Sequence, residues 1–176
     1  MAAKTYIVYN CTQPTTAAPV KQPTGSAIRT MMQLRFATGY HARLIAWGCS
    51  FDGSAAATPG QVELFENTAA ATMSTAYAAG DVMPFSDPNA TANTAGAGGA
   101  PLNLSTTTSG FMTASGTEGT VAGYRGFGSW LIAPTNQFDY QWPLGREPEI
   151  VPQNYIRVRV TFAATVNMSI YIIFET

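Results

Sequence analysis

The sequence predicts an all-β domain, an antiparallel sandwich of two sheets that we interpret as a jelly roll. Apolar and polar residues alternate with a period of two over several short stretches, as they do in strands that bury one face. The 16 Gly and 11 Pro residues separate these stretches, which is typical of short strands joined by turns. We therefore expect a single domain over residues 1–176 with about eight or nine strands and long loops.

The first half of the chain contains four predicted strands. Residues 5–10 are rich in β-branched and aromatic side chains, which favour a strand. The other three alternate, and cover residues 27–36, 40–51 and 61–66. Their predicted inward side chains are Ile28, Met32, Leu34, Phe36, Ile45, Trp47, Cys49, Phe51, Val62 and Leu64.

The second half contains three further alternating stretches, at residues 137–142, 156–162 and 168–174. The inward series of the last two are Ile156, Val158, Val160, Phe162, Met168, Ile170, Ile172 and Phe174. Residues 68–79 are rich in Ala, but β-branched threonines and the lack of a charged i,i+4 pair allow one or two helical turns at most.

Two segments do not have a strand pattern and are predicted to be extended loops. Residues 11–26 contain Pro14, Pro19 and Pro23, and residues 86–120 are rich in Thr, Ala, Gly and Ser with Asp87 and Glu118 as the charged residues. In isolation the second composition is that of a flexible linker. We expect both segments to be ordered by contact with other protein.

The charge content is the main indication of function. Only 11% of the residues are charged while 46% are hydrophobic, against roughly 25% charged in an average soluble domain. A free monomer needs surface charges of both signs, so we expect much of this surface to be covered by protein. A net charge of −1 excludes the basic footprint of non-specific nucleic-acid binding.

Candidate catalytic and metal-binding residues are few. His41 is the single histidine and has no carboxylate at ligand spacing. Glu63 and Glu66 are three residues apart within one strand and should point to opposite faces. Asp81, Asp87 and Asn89 could offer oxygen ligands to Ca²⁺, but no Asp-x-Asp-x-Asp-Gly motif accompanies them. We predict that the protein is not an enzyme and has no cofactor.

The two cysteines, Cys11 and Cys49, are too few for a disulfide framework. We predict two free, buried thiols. No signal-peptide pattern follows Met1, and no apolar stretch reaches the ~20 residues of a membrane-spanning helix. We therefore expect synthesis in a cytoplasm without export by a cleaved leader, and no membrane partner.

The aromatic series Phe138, Tyr140 and Trp142 has two interpretations. On one face of a strand it would fill the inside of a sandwich. Displayed outwards, the same stripe would stack against sugar rings and make the domain a glycan-binding module. The core interpretation is favoured.

Three stretches resemble small head-associated proteins of tailed bacteriophages. They are TYIVYNCTQPTTAAPVK from Thr5, WGCSFDGSAAATPGQVELFE from Trp47, and PTNQFDYQWPLGREPEI from Pro134 continuing into IRVRVTFAATVN from Ile156. Together they cover 66 of the 176 residues. The resemblance implies a virion structural protein, a capsid decoration or cement protein with a β-sandwich fold, made in the bacterial host and located on the capsid surface.

The low charge content agrees with that role, since protein interfaces are depleted of charge at their centres. We expect a homotrimer that contacts the major capsid protein. The alternatives are another virion module (head fibre, tail or baseplate) or a glycan-binding jelly roll. Contact segments are predicted in residues 11–26, 86–120 and 143–152. The candidate interface residues within them are Pro14, Pro19, Leu102, Leu104, Phe111, Arg146 and Glu147.

Overall fold

The computed structural model describes residues 4–13, 16–54, 58–87, 92–93, 100–113 and 116–176. These residues form strands and one short 3-10 turn at Ala79–Asp81. The strands are β1 (Thr5–Tyr9), β2 (Gln22–Pro23), β3 (Arg29–Arg35), β4 (Ala42–Phe51), β5 (Gly60–Asn67), β6 (Thr75–Ala76), β7 (Val82–Pro84), β8 (Gly110–Phe111), β9 (Arg125–Ile132), β10 (Gln137–Gln141), β11 (Glu149–Ile150), β12 (Tyr155–Thr161) and β13 (Asn167–Glu175).

Two antiparallel sheets contain all of these strands, so the predicted all-β fold is confirmed. The first sheet has the order β10-β4-β13-β1-β7, with β11 also on β4 and β2 on β13. The second has the order β6-β8-β3-β12-β5-β9. The eight strands of five or more residues pair in a nested way, β1 with β13, β3 with β12, β4 with β10 and β5 with β9. This nesting is consistent with a jelly roll.

The core lies between the two sheets and consists mainly of the predicted alternating side chains. Trp47, Phe36 and Phe174 are fully buried there, and the rings of Phe36 and Phe174 meet edge to face at 5.0 Å. Cys11 and Cys49 are buried and not joined to each other, as predicted. Burial, with a smaller contribution from the charge of Asp139, raises the pKa of the Cys49 thiol to about 12. Because the thiolate is the nucleophile, Cys49 is chemically inert.

Two predicted inward residues are not in the core. Ile28 precedes β3 and is 48% exposed. Ile45 is displaced by a β-bulge, because Ala46 pairs with Ile173 while Leu44 pairs with Phe174. An extra residue in one strand reverses the alternation beyond it, so Leu44 is buried and Ile45 is half-buried.

The described part of residues 86–120 is bound to its own chain, which corrects the expectation that other proteins order this segment. Strand β8 pairs with both β3 and β6. An isolated bridge joins Leu102 to Phe36. The side chain of Asn93 accepts a bond from the Leu102 N–H and donates one to its carbonyl oxygen, at 2.8 and 3.0 Å. The segment therefore extends the second sheet beyond β3 and packs against the core.

A buried ionic cluster fixes the end of this segment. The Glu118 carboxylate accepts hydrogen bonds from the backbone N–H and hydroxyl of Thr30 and forms an ion pair with Arg157. Arg157 is fully buried and also donates to the Glu118 carbonyl oxygen at 2.7 Å. The cluster offsets part of the desolvation of the guanidinium, whose Nη1 has no hydrogen-bond partner among the described residues, and holds residue 118 against β3 and β12.

Candidate interaction surface

One side of the sandwich is formed by two long edge strands. Strand β9 ends the second sheet and β10 ends the first, and residues 133–136 connect them. Within the described residues, neither strand pairs with a further strand on its outer edge. The opposite side ends in β6 and β7, which are two and three residues long. Short edges are a common protection against strand addition, so among the described strands the β9–β10 side is the one that offers long unpaired backbone.

Aromatic side chains fill the gap between the two edges, and we call them the aromatic cluster: Phe127, Trp130, Phe138, Tyr140 and Trp142. The ring of Trp130 lies 5.0 Å from buried Trp47 and 4.9 Å from Phe138. Farther along, Phe127 meets Trp142 edge to face at 6.5 Å. The cluster is thus the continuation of the core towards solvent, with its outermost members incompletely covered.

The geometry of the cluster favours the core interpretation of the aromatic series. Phe138 packs against Trp47 at 5.3 Å. Tyr140 is 40% exposed, but its ring stands at 89° to that of Trp142. Sugar stacking needs ring faces that are open and nearly coplanar, and perpendicular rings do not provide such a platform.

A turn beyond β10 presents an isolated apolar side chain. The Arg146 N–H donates to the Pro143 carbonyl oxygen at 2.9 Å, and Gly145 has φ +78°. Positive φ at the third residue of a β-turn is the type II geometry, which favours Gly at that place. Leu144 occupies the second position and is 97% exposed. A leucine held in water by a defined turn is a candidate contact residue.

Beside this turn lies a shallow pocket of about 360 Å³ on the outer face of the first sheet. Leu144 and Trp142 form an apolar wall, and Arg43, Glu147 and Glu175 supply the charges. Arg43 and Glu175 are opposite each other on β4 and β13. The pocket combines apolar surface with charges of both signs, which suits a protein side chain more than a phosphate or a sugar.

The structure corrects two of the predicted interface residues. Leu102 and Phe111 are each 2% exposed, and Leu104 is partly buried against the same core. Their role is to attach the threonine-rich segment to its own sheet. The sequence does not predict this burial, because β8 is two residues long and so short a strand has no recognisable alternation.

The other predicted interface residues lie on the surface or outside the described residues. Pro19 and Arg146 are exposed, and Glu147 is half-buried and lines the pocket. Within the described chain, neither Arg146 nor Glu147 forms an ion pair. Pro14 lies outside the described residues.

The two exposed contact segments lie at opposite ends of the molecule. Residues 16–20 adjoin Lys21, which forms an ion pair with Asp52 beside the start of β13. The pocket at the other end includes Glu175, the last residue of β13. Nine residues of strand separate these ends by about 27 Å at a rise of ~3.4 Å per residue. One end can therefore face a supporting surface while the other faces away.

The candidate catalytic and metal-binding residues make structural contacts. His41 Nδ1 lies 3.2 Å from Glu149 Oε1 in an exposed pair, and Glu63 pairs with Arg159 at 2.8 Å. Asp81 accepts bonds from the backbone N–H groups of residues 13 and 78. In the described parts of the chain no three His, Cys, Asp or Glu side chains are grouped as metal ligands; Asn89 lies outside them.

Many of the few charges are neutralised within the chain. Four of the nine Lys and Arg side chains form ion pairs with carboxylates of the same chain. One of them, Arg125, pairs with buried Glu66 and packs over the Phe127 ring at 5.0 Å. The charge left for solvent is therefore even smaller than the composition indicates. The composition gives the total number of charged residues, and the contacts identify which of them are paired.

No family model, curated protein or solved structure matches this chain. Within the described residues, no helix has the length and apolar character needed to span a membrane.

Proposed function

We propose that this protein is a non-enzymatic structural component of a phage virion that decorates or cements the capsid. It associates with itself as a homotrimer and contacts the major capsid protein on the outer surface of the particle. The resemblance of three stretches to phage head-associated proteins supports this role.

One observation carries the proposal: the surface combines scarce free charge with apolar side chains held in water. Leu144 and Leu131 are 97% and 78% exposed, while Arg125, which packs over the Phe127 ring, is neutralised by Glu66. A protein that works by adhesion gains from this, because the centre of an interface is desolvated and favours apolar groups. Many copies on one capsid make modest individual contacts sufficient.

The turn at residues 143–146 is the capsid contact in this proposal. Leu144 projects from a rigid type II turn, and Arg146 beside it is exposed and available for a carboxylate of the capsid protein. The adjacent pocket can receive one protruding side chain. An apolar anchor flanked by charges is the usual form of an energetically dominant interface site.

Co-sedimentation tests the proposal, with the purified protein and capsids of its phage prepared without it. We expect the protein to pellet with capsids in a saturable way, and Leu144→Asp to weaken that binding at least ~10-fold, as loss of a central apolar anchor does. Ile28→Asp is the matched control, because Ile28 is also an exposed aliphatic residue, 48% exposed, and lies outside the three predicted contact segments. Absence of saturable binding by the unmodified protein would refute the capsid role.

A further inference from the structure

We infer that the β9–β10 side is an assembly surface on which β9 of one copy pairs with β10 of the next in a closed ring of three. The inference rests on the proposed self-association but not on the capsid role. It assigns the strands, their pairing partners and the register of the contact.

The unpaired backbone is the first argument. Strand β9 has eight residues and β10 has five, and in the described residues neither edge is paired or covered by a further strand. Edge strands are normally protected by charge, proline, a β-bulge or shortness. Strand β9 is long, contains no proline, and has Arg125 at its start as the one charged residue. Arg125 forms an ion pair with Glu66.

Strand β9 has a bulge near its start, where Leu64 pairs with Gly128 and Phe65 with Gly126, but residues 128–132 pair regularly. Strand β10 has Asp139 at its centre, and its carboxylate accepts a hydrogen bond from Tyr171.

The presence of two different bare edges favours pairing of β9 with β10 over pairing of β9 with its own copy, and the number three is that of the proposed homotrimer. A dimer that pairs β9 with its own copy would leave both β10 edges without partners. A heterologous contact uses two different patches of each subunit and closes when the rotation is suitable. Three copies with this side turned inwards would pair every β9 with a β10.

Strand direction fits this arrangement. The connection at residues 133–136 reverses the chain, so β9 and β10 run in opposite directions. Rotation about an axis parallel to the strands preserves direction in every copy. The β9 of one copy is then antiparallel to the β10 of the next, which is the pairing already used throughout both sheets.

The same symmetry fixes the register. Trp130 and Phe138 are in contact within one chain, so they lie at the same height along the strands. Rotation without translation keeps that height in every copy. Leu131 of one copy therefore faces Gln137 of the next. Both side chains are exposed in the isolated chain.

The aromatic cluster supplies the apolar surface for such a ring. Tyr140 is 40% exposed, and Phe127 and Trp142 are only partly buried. In the closed trimer these aromatic side chains face the symmetry axis and are covered by those of the other two copies. Aromatic residues are enriched in the centres of interfaces because they bury a large area with little loss of rotamer freedom.

The first test is the mass in solution. We expect about three times 18.7 kDa by light scattering or sedimentation, and a shift of Leu131→Lys to the single-chain mass. A lysine on an edge strand opposes strand addition, and Leu131 is exposed enough for the fold to accept it. Thr161→Lys is the matched control on β12, an interior strand, and should leave the mass unchanged.

Disulfide trapping tests the register. Chains with Leu131→Cys are mixed with chains with Gln137→Cys and oxidised. Facing residues of antiparallel strands have Cα atoms ~4.5–5.5 Å apart, within the range of a disulfide. We expect cross-linked dimers in the mixture at least ~10-fold above either variant alone, the ratio required for a preferred register. The unmodified protein controls for buried Cys11 and Cys49.

Three results would overturn the inference. The first is a mass of one or two chains at every concentration, since two chains would indicate the same pairing about a two-fold axis. The second is cross-linking of Leu131→Cys chains alone as strong as in the mixture, which would indicate a two-fold β9 contact. The third is an unchanged oligomer in Leu131→Lys without cross-linking, which would place the contact on another face. A single chain that still binds capsids would refute this inference and leave the proposed function intact.

Discussion

Arg157 shows how a charged residue is used inside this low-charge protein. It is fully buried and its guanidinium donates to Thr30 and to Glu118. Burial lowers the pKa of Arg157, and the Glu118 carboxylate opposes that shift. The ion pair therefore attaches the end of residues 86–120 to the second sheet. It does not take part in recognition.

We predict that Glu118→Ala lowers the free energy of unfolding by about 3 kcal/mol, the low end for leaving a buried charge unpaired, because Glu118 retains some exposure. Urea denaturation measures this loss. The double variant Glu118→Ala with Arg157→Met should recover part of it, since the unpaired charge is then removed. If Glu118→Ala were as stable as the unmodified protein, the proposed role of the Glu118–Arg157 ion pair would be contradicted.

Tyr171 is a second residue whose environment can be tested, through the pKa of its phenol. Its hydroxyl donates to Asp139 Oδ1 at 2.7 Å, and its ring occupies the space that a side chain at Gly48 would need. Burial, together with the hydrogen bond and the negative charge of Asp139, raises the pKa of Tyr171 to about 12. The folded state thus favours the neutral phenol.

We predict that the free energy of unfolding falls as the pH rises from 10 towards 12. Below the ordinary pKa of 10 the phenol is neutral in both states, and above it the unfolded state loses the proton first, which lowers stability. Tyr171→Phe should reduce the slope, as measured by urea denaturation at a series of pH values. The raised pKa of Cys49 contributes to the remaining slope. Identical slopes in both proteins would contradict the assignment.

Among the structural elements, β8 has an importance beyond its length of two residues. It pairs with β3 and β6, and it places the buried ring of Phe111 against Tyr77 at 5.3 Å. The low-complexity segment that contains it is consequently an integral part of the second sheet in its described residues. Composition alone is misleading here, because a few anchors suffice to order a polar chain.

We predict that Phe111→Ala lowers the free energy of unfolding by about 3–5 kcal/mol, the usual cost of removing a buried phenyl ring. Phe85→Ala is the matched control, since Phe85 is 58% exposed and should change stability by roughly 0.5 kcal/mol or less. Chemical denaturation of both variants measures the difference. Equal effects would mean that Phe111 does not anchor the segment.

At the scale of the whole molecule, the two sides of the sandwich differ. One side ends in short strands, and the other in β9 and β10 with a partly exposed aromatic cluster between them. The contact segments at residues 16–20 and 143–146 lie at the two ends. Self-association at one side and attachment at one end therefore use different residues, except that Trp142 belongs to the aromatic cluster and also lines the pocket.

We predict that the melting temperature rises with protein concentration, because association stabilises the folded state by mass action. Calorimetry from micromolar to near-millimolar concentrations measures this. In Leu131→Lys the melting temperature should be independent of concentration. A concentration-independent value in the unmodified protein would contradict self-association through folded subunits.

The sequence by itself determined the fold class, seven of the eight long strands, most of the core and the two free buried thiols, but it did not predict β9. Alternation along a strand is a local property, so Met32, Leu34 and Phe36 could be assigned to the core without knowledge of their partners. The low charge content likewise followed from composition. It led to the proposal that much of the protein's surface is covered by other protein.

Tertiary structure decided everything that depends on contacts between distant residues. Contacts between distant residues produce the bulge that removes Ile45 from the core, the burial of Leu102 and Phe111, and the ion pair of Glu118 with Arg157. The bare edges of β9 and β10 are also a property of topology, because a strand lies at an edge only through the order in which others pair. Such nonlocal pairing leaves no period in the sequence.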